Sequence, residues 1–169
     1  MRVWYALGST LFFLIAPGTI AGLLPYGITS WEMQPAFFGW DAVRWTGAVL
    51  IAAGLAVLIE SFVRFVMKGF GTPAPVAPPK HLVISGLYRH TRNPMYVGVV
   101  SAVVGQALLF GDPRLLWYAL IVWIGFHLFV LLYEEPTLRV TFGDDYERFC
   151  ANVPRWLPRI RPWRADSAS

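Results

Sequence analysis

Residues 94–135 read PMYVGVVSAVVGQALLFGDPRLLWYALIVWIGFHLFVLLYEE, and this stretch decides the fold. Apolar residues fill 94–110 and 115–133, and a Gly-Asp-Pro turn at 111–113 separates the two runs. Each run falls within the roughly 17–25 residues that a helix needs to cross the hydrocarbon core of a bilayer. Because the turn is short, the stretch predicts an antiparallel hairpin of two transmembrane helices.

The composition of the whole chain is typical of a membrane protein. Of its 169 residues, 56% are hydrophobic and 14% are charged, and the mean hydropathy is +0.52. A soluble domain of this size has too little interior to bury so many apolar side chains, and a disordered chain has far fewer of them. Lipid must therefore be the second solvent. The single Cys150 excludes an intramolecular disulfide and any CxxC redox or zinc pair.

Two further apolar segments, 3–24 and 43–67, bring the number of predicted transmembrane helices to four. No A-x-A cleavage site closes the first of them, so we expect a retained helix rather than a signal peptide. Prolines indicate where helices end. Pro25 is expected to open a loop on the membrane surface, and Pro136 is expected to end the fourth helix.

The sequence after Pro136 predicts one more helix, which lies on the membrane surface. Its apolar side chains recur every three or four residues, as in an amphipathic interfacial helix, and Gly143 is expected to bend it. These side chains are Leu138, Phe142, Tyr146, Phe149 and Val153. The predicted fold class is thus all-α, a polytopic membrane helical bundle with four transmembrane helices and a C-terminal cytosolic interfacial helix. We expect an N-terminal helix pair in residues 1–68 and a functional core in residues 69–169.

The basic residues determine the predicted orientation. Twelve of the 14 Lys and Arg residues fall in the N-terminal, middle and C-terminal polar segments, whereas Arg44 and Arg114 fall on the other side of the membrane. The positive-inside rule then places both termini and the middle loop in the cytoplasm. We expect a multi-pass integral protein of a bacterial inner membrane, with the lipid bilayer as a partner. Basic residues dispersed in this way argue against a nucleic-acid partner, and the sequence leaves the oligomeric state open.

Small residues recur at helical spacing in three of the predicted spans, and such spacing lets helix backbones approach closely in lipid. We expect the backbones to pack along these positions. They are Gly18 and Gly22 in the first span, Ala48, Ala52 and Ala56 in the second, and Gly98, Ser101, Ala102 and Gly105 in the third.

The first functional candidate is the start of the third helix. Asn93 is a favoured N-cap residue and Pro94 is a favoured first helical residue, so the helix is expected to begin there. The free amide groups of this helix end, together with Arg92, suit an anion. A capped helix with a basic anchor at the interface explains the same residues.

The second candidate is the pair Glu134 and Glu135 at the cytosolic end of the fourth span. Two adjacent carboxylates repel each other, and at a helix C-terminus they also oppose the helix dipole. A positive group is expected to compensate for them. That group is either Arg92 or Arg139 in a salt bridge, or a cationic ligand such as a sulfonium.

Two more ionisable residues lie within predicted spans. His127 is expected to be neutral and hydrogen-bonded inside the bundle, and Glu60 is expected to pair with Arg64, four residues further on. The chain contains no HExxH, GxSxG, GxGxxG or P-loop motif. We therefore expect no metal site, no nucleophile-elbow chemistry and no Rossmann or Walker nucleotide site.

Two blocks of sequence on either side of the predicted hairpin resemble the isoprenylcysteine carboxyl methyltransferase and phospholipid methyltransferase superfamily. The first block comprises residues 80–88, KHLVISGLY, and 92–98, RNPMYVG. The second block comprises Glu134-Glu135, Leu138, Phe142-Gly143, Tyr146, Phe149, Val153-Pro154 and Pro158. The resemblance covers residues 69–158, and two ordered blocks are more specific than either motif alone.

The resemblance implies a methyltransferase that uses S-adenosylmethionine, releases S-adenosylhomocysteine and acts on a lipophilic acceptor at the cytosolic leaflet. Such an acceptor would be an isoprenoid, a phospholipid or another small hydrophobic molecule. Glu134 would hold the polar end of the cofactor, and Arg92 and Glu135 are the catalytic candidates, Glu135 as the base for an amine or thiol acceptor. The other cofactor-binding residues implied are Lys80, His81, Leu82, Val83, Tyr88, Asn93, Pro94, Met95 and Tyr96.

Three positions depart from the family pattern. Asn93 and Lys80 stand where the family commonly has histidines, and Val130 stands where prenylcysteine enzymes carry a substrate-binding arginine. The last difference argues against a prenylcysteine carboxylate as the acceptor. Two alternatives stay open. One is a NAD(P)H-dependent membrane reductase of the sterol-reductase type, and the other is a membrane scaffold without catalysis.

Overall fold

The computed structural model of the chain describes residues 15–69, with side chains as far as residue 64, and residues 82–164. In these two ranges all regular structure is helical and no β-strand occurs, which confirms the predicted all-α class for this part of the chain. The helices are α1 (Leu24–Thr29), α2 (Ala42–Gly69), α3 (Pro94–Phe110), α4 (Arg114–Phe129), α5 (Glu135–Phe142) and α6 (Asp144–Asn152).

Within residues 15–69 and 82–164, two helical segments are long and apolar enough to cross a membrane. They are Ala42–Arg64, with a mean hydropathy of 2.1, and Arg114–Phe142, with 2.3. Only 22% and 17% of their most apolar stretches are buried within the protein, so most of their surface faces outward, as expected in lipid. Helix α3 is shorter, and residues 3–14 of the predicted first span lie outside the described ranges. The number of four crossings therefore stays a prediction.

The predicted hairpin is confirmed. Helix α3 has the predicted bounds, and it ends at Gly111, whose φ of 73° is a left-handed conformation that glycine adopts without strain. The Asp112 carboxylate accepts the backbone N–H of Arg114 at 2.9 Å and pairs with the Arg114 guanidinium at 2.6 Å. These bonds lower the pKa of Asp112. The turn therefore satisfies the first amides of α4.

Pro25 and Pro136 lie inside helices, so the prediction that each of them ends a helix is wrong. Residues 15–29 form one continuous helix through Pro25, and α4 continues through Pro136 into α5. In each case a π-helical turn, Thr19–Leu23 or Val130–Glu134, ends two residues before the proline. A proline lacks an N–H and its ring collides with the carbonyl four residues earlier, and the wider π turn gives that ring space.

Two carbonyls of the Thr19–Leu23 turn accept hydrogen bonds from side chains, as the bilayer interior requires of groups without a helical partner. Pro25 cannot donate to the carbonyl of Ala21, and the amide of Gln106 on α3 donates to it instead at 2.7 Å. The hydroxyl of Tyr118 on α4 donates to the carbonyl of Ile20 at 2.8 Å. The N-terminal helix is thereby joined to both helices of the hairpin.

Helices α2 and α3 pack backbone to backbone at two pairs of glycines. A Cβ on Gly54 would lie 2.7 Å from the carbonyl oxygen of Gly98, and a Cβ on Gly47 would lie 2.6 Å from that of Gly105. From Gly47 to Gly54 the chain of α2 advances by seven residues, and their partners Gly105 and Gly98 on α3 are seven residues apart in the opposite direction. This is the spacing expected of two antiparallel helices. The predicted packing positions Gly98, Ala102 and Gly105 on α3 are confirmed.

The packing face predicted for α2 is wrong. Ala52 and Ala56 are exposed, whereas Gly47 and Gly54 contact α3. Among the described residues, no atom lies within 4 Å of a Cβ placed on Gly18 or Gly22. Spacing alone did not identify the face, because small residues follow one another on several faces of α2.

The apolar face of the C-terminal helix packs on the protein. Tyr146, Phe149 and Val153 are buried against partly buried side chains that include Leu82 and Trp163. Gly143, with φ 50° and ψ −125°, separates α5 from α6, which confirms the predicted bend. The interfacial location of these helices stays a prediction.

Substitution Gly54→Ala is expected to destabilise the α2–α3 contact, because the added methyl meets a backbone carbonyl that cannot move alone. The expected loss is roughly 1–3 kcal/mol, measured as a lower thermal midpoint in detergent. Gly125→Ala is the matched control, because no atom of the described part of the chain lies within 4 Å of the position of its Cβ. Equal midpoints for the two variants would contradict the close contact.

Candidate active site

Glu135 lies in a cluster of arginines. Its side chain is 3% exposed, and the Arg155 guanidinium contacts both of its oxygens, at 2.6 and 3.1 Å. Arg92 Nη1 lies 3.1 Å from Oε1, and Arg139 Nη2 lies 3.7 Å from Oε2. The predicted salt bridges of this glutamate are thus confirmed. Arg155 is a further partner that the sequence analysis did not identify.

Glu134, one residue earlier, has a different environment. The Tyr96 hydroxyl donates a hydrogen bond of 3.0 Å to its Oε2. Within the described ranges, no Lys, Arg or His nitrogen lies within 4 Å of this carboxylate. Successive helical residues point about 100° apart, so one glutamate faces the arginines and the other faces α3. The helix does not end here, so the predicted conflict with a helix C-terminus is wrong.

An aromatic wall surrounds the Tyr96–Glu134 pair. The Tyr96 ring stacks on Phe126 of α4, with centroids 4.6 Å apart, and lies 6.5 Å from the ring of Trp156. The indole N–H of Trp156 donates to Nδ1 of His127 at 3.1 Å. His127 accepts this bond with an unprotonated nitrogen, which confirms that it is hydrogen-bonded inside the bundle.

Tyr88 lies beside a second carboxylate. Tyr88 belongs to a 3₁₀ turn, Gly86–Arg89, which contacts Glu60 and Arg64 of α2. Glu60 and Arg64 bond to each other, so the predicted pair is confirmed. Gly86 has φ 57°, and a Cβ there would overlap Glu60 and Arg64, so only glycine fits. Burial raises the pKa of Tyr88, and the Glu134 and Glu60 carboxylates raise it further.

A groove of about 510 Å³ lies between α2 and this turn. Its wall combines apolar residues with ionisable ones. The lining residues are Ala56, Val57, Glu60, Gly86, Leu87, Arg89, His90 and Pro162. Oε2 of Glu60 is buried there and has no hydrogen-bond partner in the described part of the chain.

The start of α3 is tied to the C-terminal segment, residues 153–163, which we call the C-terminal strap. Asn93 occupies the N-cap position, but its side chain does not cap the helix, so the predicted capping amide is wrong. Its Nδ2 donates instead to the carbonyl of Arg155 at 3.1 Å. Arg92 donates its backbone N–H to Pro154 and its Nη1 to the Cys150 sulfur.

Further bonds attach the strap to the residues before α3. The Thr91 hydroxyl is within 3.1 Å of the carbonyls of Arg155 and Trp156, and His90 and Arg159 bond to each other twice. Arg155 and Trp156 are site residues that were not predicted from the sequence. Two adjacent glutamates indicated that a positive group was needed. Arg155, however, lies 20 residues from Glu135, and the path of the strap was not predictable from the sequence.

The other predicted site residues are placed as follows. Pro94 is the first residue of α3 and is buried, and Met95 is half-buried. Val83 is buried, and Leu82 packs against the α6 cluster. Lys80 and His81 lie outside the described residues. The structure therefore brings Arg92, Asn93, Tyr96, Glu134 and Glu135 together around the strap.

The sequence profile of the family described as phospholipid methyltransferase matches residues 42–145, from the start of α2 into α6. The chain belongs to this family. The match includes both glutamates and the start of α3, and it ends before the strap.

Curated relatives carry related names. A protein-S-isoprenylcysteine O-methyltransferase of Schizosaccharomyces pombe is 35% identical over 80 residues, which is 47% of this chain and 34% of the relative. Protein-S-isoprenylcysteine O-methyltransferase B of Arabidopsis thaliana is 31% identical over 80 residues, covering 47% and 40%. The matched segment thus spans well under half of these relatives. No solved structure gives a significant match.

Substitution Arg155→Gln is expected to destabilise the protein, because it removes two hydrogen bonds to the buried carboxylate of Glu135. The expected loss is roughly 1.5–3 kcal/mol, read from the thermal midpoint in detergent. Arg139→Gln is the comparison, because its contact with Glu135 is longer and its side chain is 48% exposed. An equal or larger loss for Arg139→Gln would contradict the central position of Arg155.

Proposed function

We propose that this chain is an integral membrane methyltransferase that binds S-adenosylmethionine on its cytosolic side and methylates a lipophilic acceptor. The observation that carries the proposal is the half-buried Tyr96–Glu134 pair. Among the described residues the Glu134 carboxylate has no cation, and the chain belongs to the phospholipid methyltransferase family. A carboxylate partly removed from water is costly unless a positive group compensates for it.

The residues present fit the polar and charged groups of the cofactor. Glu134 offers a carboxylate to an ammonium group, a sulfonium or a ribose hydroxyl, and the rings of Tyr96, Phe126 and Trp156 suit a cation. Nε of Arg92 is buried and has no hydrogen-bond partner in the described ranges. We propose that it is a donor for the cofactor carboxylate, because the start of α3 and Arg92 together suit an anion.

S-adenosylmethionine supplies an electrophilic methyl group, which an acceptor takes by in-line displacement. The protein then has to align the acceptor and exclude water. The strap and the aromatic wall close one side of the site, which supports this role. Tyr88 is buried, and the charges of Glu134 and Glu60 both act on its hydroxyl, so we propose that it contacts a ligand.

Glu135 fits a positioning role better than that of a general base. Three guanidinium groups stabilise its ionised form and so oppose its protonation. Glu134 has no such cation among the described residues. We propose that an amine or thiol acceptor loses its proton to Glu134 or to water near it, and that Glu135 with Arg92 and Arg155 holds the strap in place.

Several features support a lipophilic acceptor. The relatives are named for an isoprenylcysteine substrate, and the long helices of this chain face outward with apolar side chains. The groove between α2 and the Gly86–Arg89 turn combines an apolar wall with ionisable groups, as a lipid with a polar head requires. The concentration of basic residues on one side supports the cytosolic leaflet.

Substitution Glu134→Gln is expected to weaken S-adenosylmethionine binding by about 10- to 100-fold, because hydrogen bonds to a charged group are lost. Calorimetric titration of the detergent-purified protein measures this. Glu147→Gln is the matched control, since Glu147 is 58% exposed and pairs with Arg139 outside the site.

Transfer of a labelled methyl group into the lipid fraction of a membrane extract tests the acceptor. The wild-type protein is expected to label lipid, and Glu134→Gln is expected to label it far less. If Glu134→Gln binds S-adenosylmethionine as tightly as the wild-type protein does, Glu134 does not belong to the cofactor site.

A further inference from the structure

The contacts of Trp156 form a continuous path from the C-terminal strap to Glu134. The indole N–H is held by His127 of α4 at 3.1 Å, and the rings of His127 and Trp123 lie 5.8 and 6.4 Å from the indole. The indole also lies 6.5 Å from the ring of Tyr96. These separations are those of interacting aromatic pairs.

The strap itself has little freedom at this point. The carbonyls of Arg155 and Trp156 accept hydrogen bonds from Thr91 and Asn93, immediately before α3. The backbone of Trp156 is thereby tied to α3 and its side chain is tied to α4. Because both its backbone and its side chain are held, Trp156 restricts the neighbouring ring of Tyr96.

Tyr96 is the side chain that this arrangement restricts. Phe126 covers one face of its ring at 4.6 Å, and Trp156 lies at an angle of 56° to it. The hydroxyl of the ring so oriented points to Oε2 of Glu134 at 3.0 Å. Without Trp156, the Tyr96 ring would have space to tilt, and its bond to Glu134 would lengthen or break.

We propose that Trp156 is a positioning residue of the cofactor site. Its hydrogen bond to His127 fixes the aromatic wall that orients Tyr96, and Tyr96 in turn orients the carboxylate of Glu134. The inference rests on the proposed role of Glu134 in cofactor binding. It adds a part of the chain that lies beyond the family match, which ends at residue 145.

Substitution Trp156→Phe removes the N–H donor and keeps an aromatic ring. It is expected to raise the dissociation constant for S-adenosylmethionine by about threefold to tenfold, the range for one hydrogen bond. Trp117→Phe is the matched control, because Trp117 is 69% exposed on α4 and is expected to leave the affinity unchanged. His127→Phe, which removes the acceptor, is expected to reproduce the effect of Trp156→Phe.

A double-mutant cycle separates positioning from a general loss of stability. If Trp156 acts through Tyr96, then Trp156→Phe has no further effect on cofactor affinity in a Tyr96→Phe background. The same fold loss in both backgrounds would overturn the proposal, as would unchanged affinity in Trp156→Phe alone. Failure of the wild-type protein to bind S-adenosylmethionine would overturn the proposed function itself, which distinguishes the two failures.

Discussion

The structure depends on the ion cluster around Glu135. A carboxylate buried to this degree is unstable unless cations and hydrogen bonds replace its lost hydration. Arg92, immediately before α3, and Arg155 of the strap supply them, with Arg139 on the same helix as a weaker third partner. The cluster therefore joins α5, the residues just before α3 and the C-terminal strap at one point. The Tyr96–Glu134 pair lies next to it, since its glutamate is the adjacent residue.

This arrangement requires an unbroken helix through Pro136. If the helix ended there, Glu134 and Glu135 would lie in a terminal turn, and α5 would be free to point elsewhere. The π turn Val130–Glu134 accommodates the proline ring and carries the helix onward. The same solution at Pro25 keeps the N-terminal helix continuous, with Gln106 replacing the missing donor. π turns are frequent at functional sites, and here one of them contains Glu134.

The sequence predicted those features whose causes are local. The bounds of α3 follow from Pro94 at its start and Gly111 after its end, and the Glu60–Arg64 pair follows from helical spacing. The continuation through Pro25 was not predictable, because the donor that replaces its missing N–H is Gln106, 85 residues from Ala21. Trp156 and Arg155 were missed for the same reason, since their partners lie 29 and 20 residues away. Local signals locate helices, whereas a site assembled from distant segments needs the fold.

The most direct test of the account is calorimetric titration of the detergent-purified wild-type protein with S-adenosylmethionine and S-adenosylhomocysteine, with NADPH as the third ligand. We expect saturable binding of both adenosyl ligands and no binding of NADPH. Binding of NADPH alone would contradict it and favour a membrane reductase. Absence of binding for all three ligands, in protein that unfolds cooperatively on heating, would contradict it in favour of a scaffold.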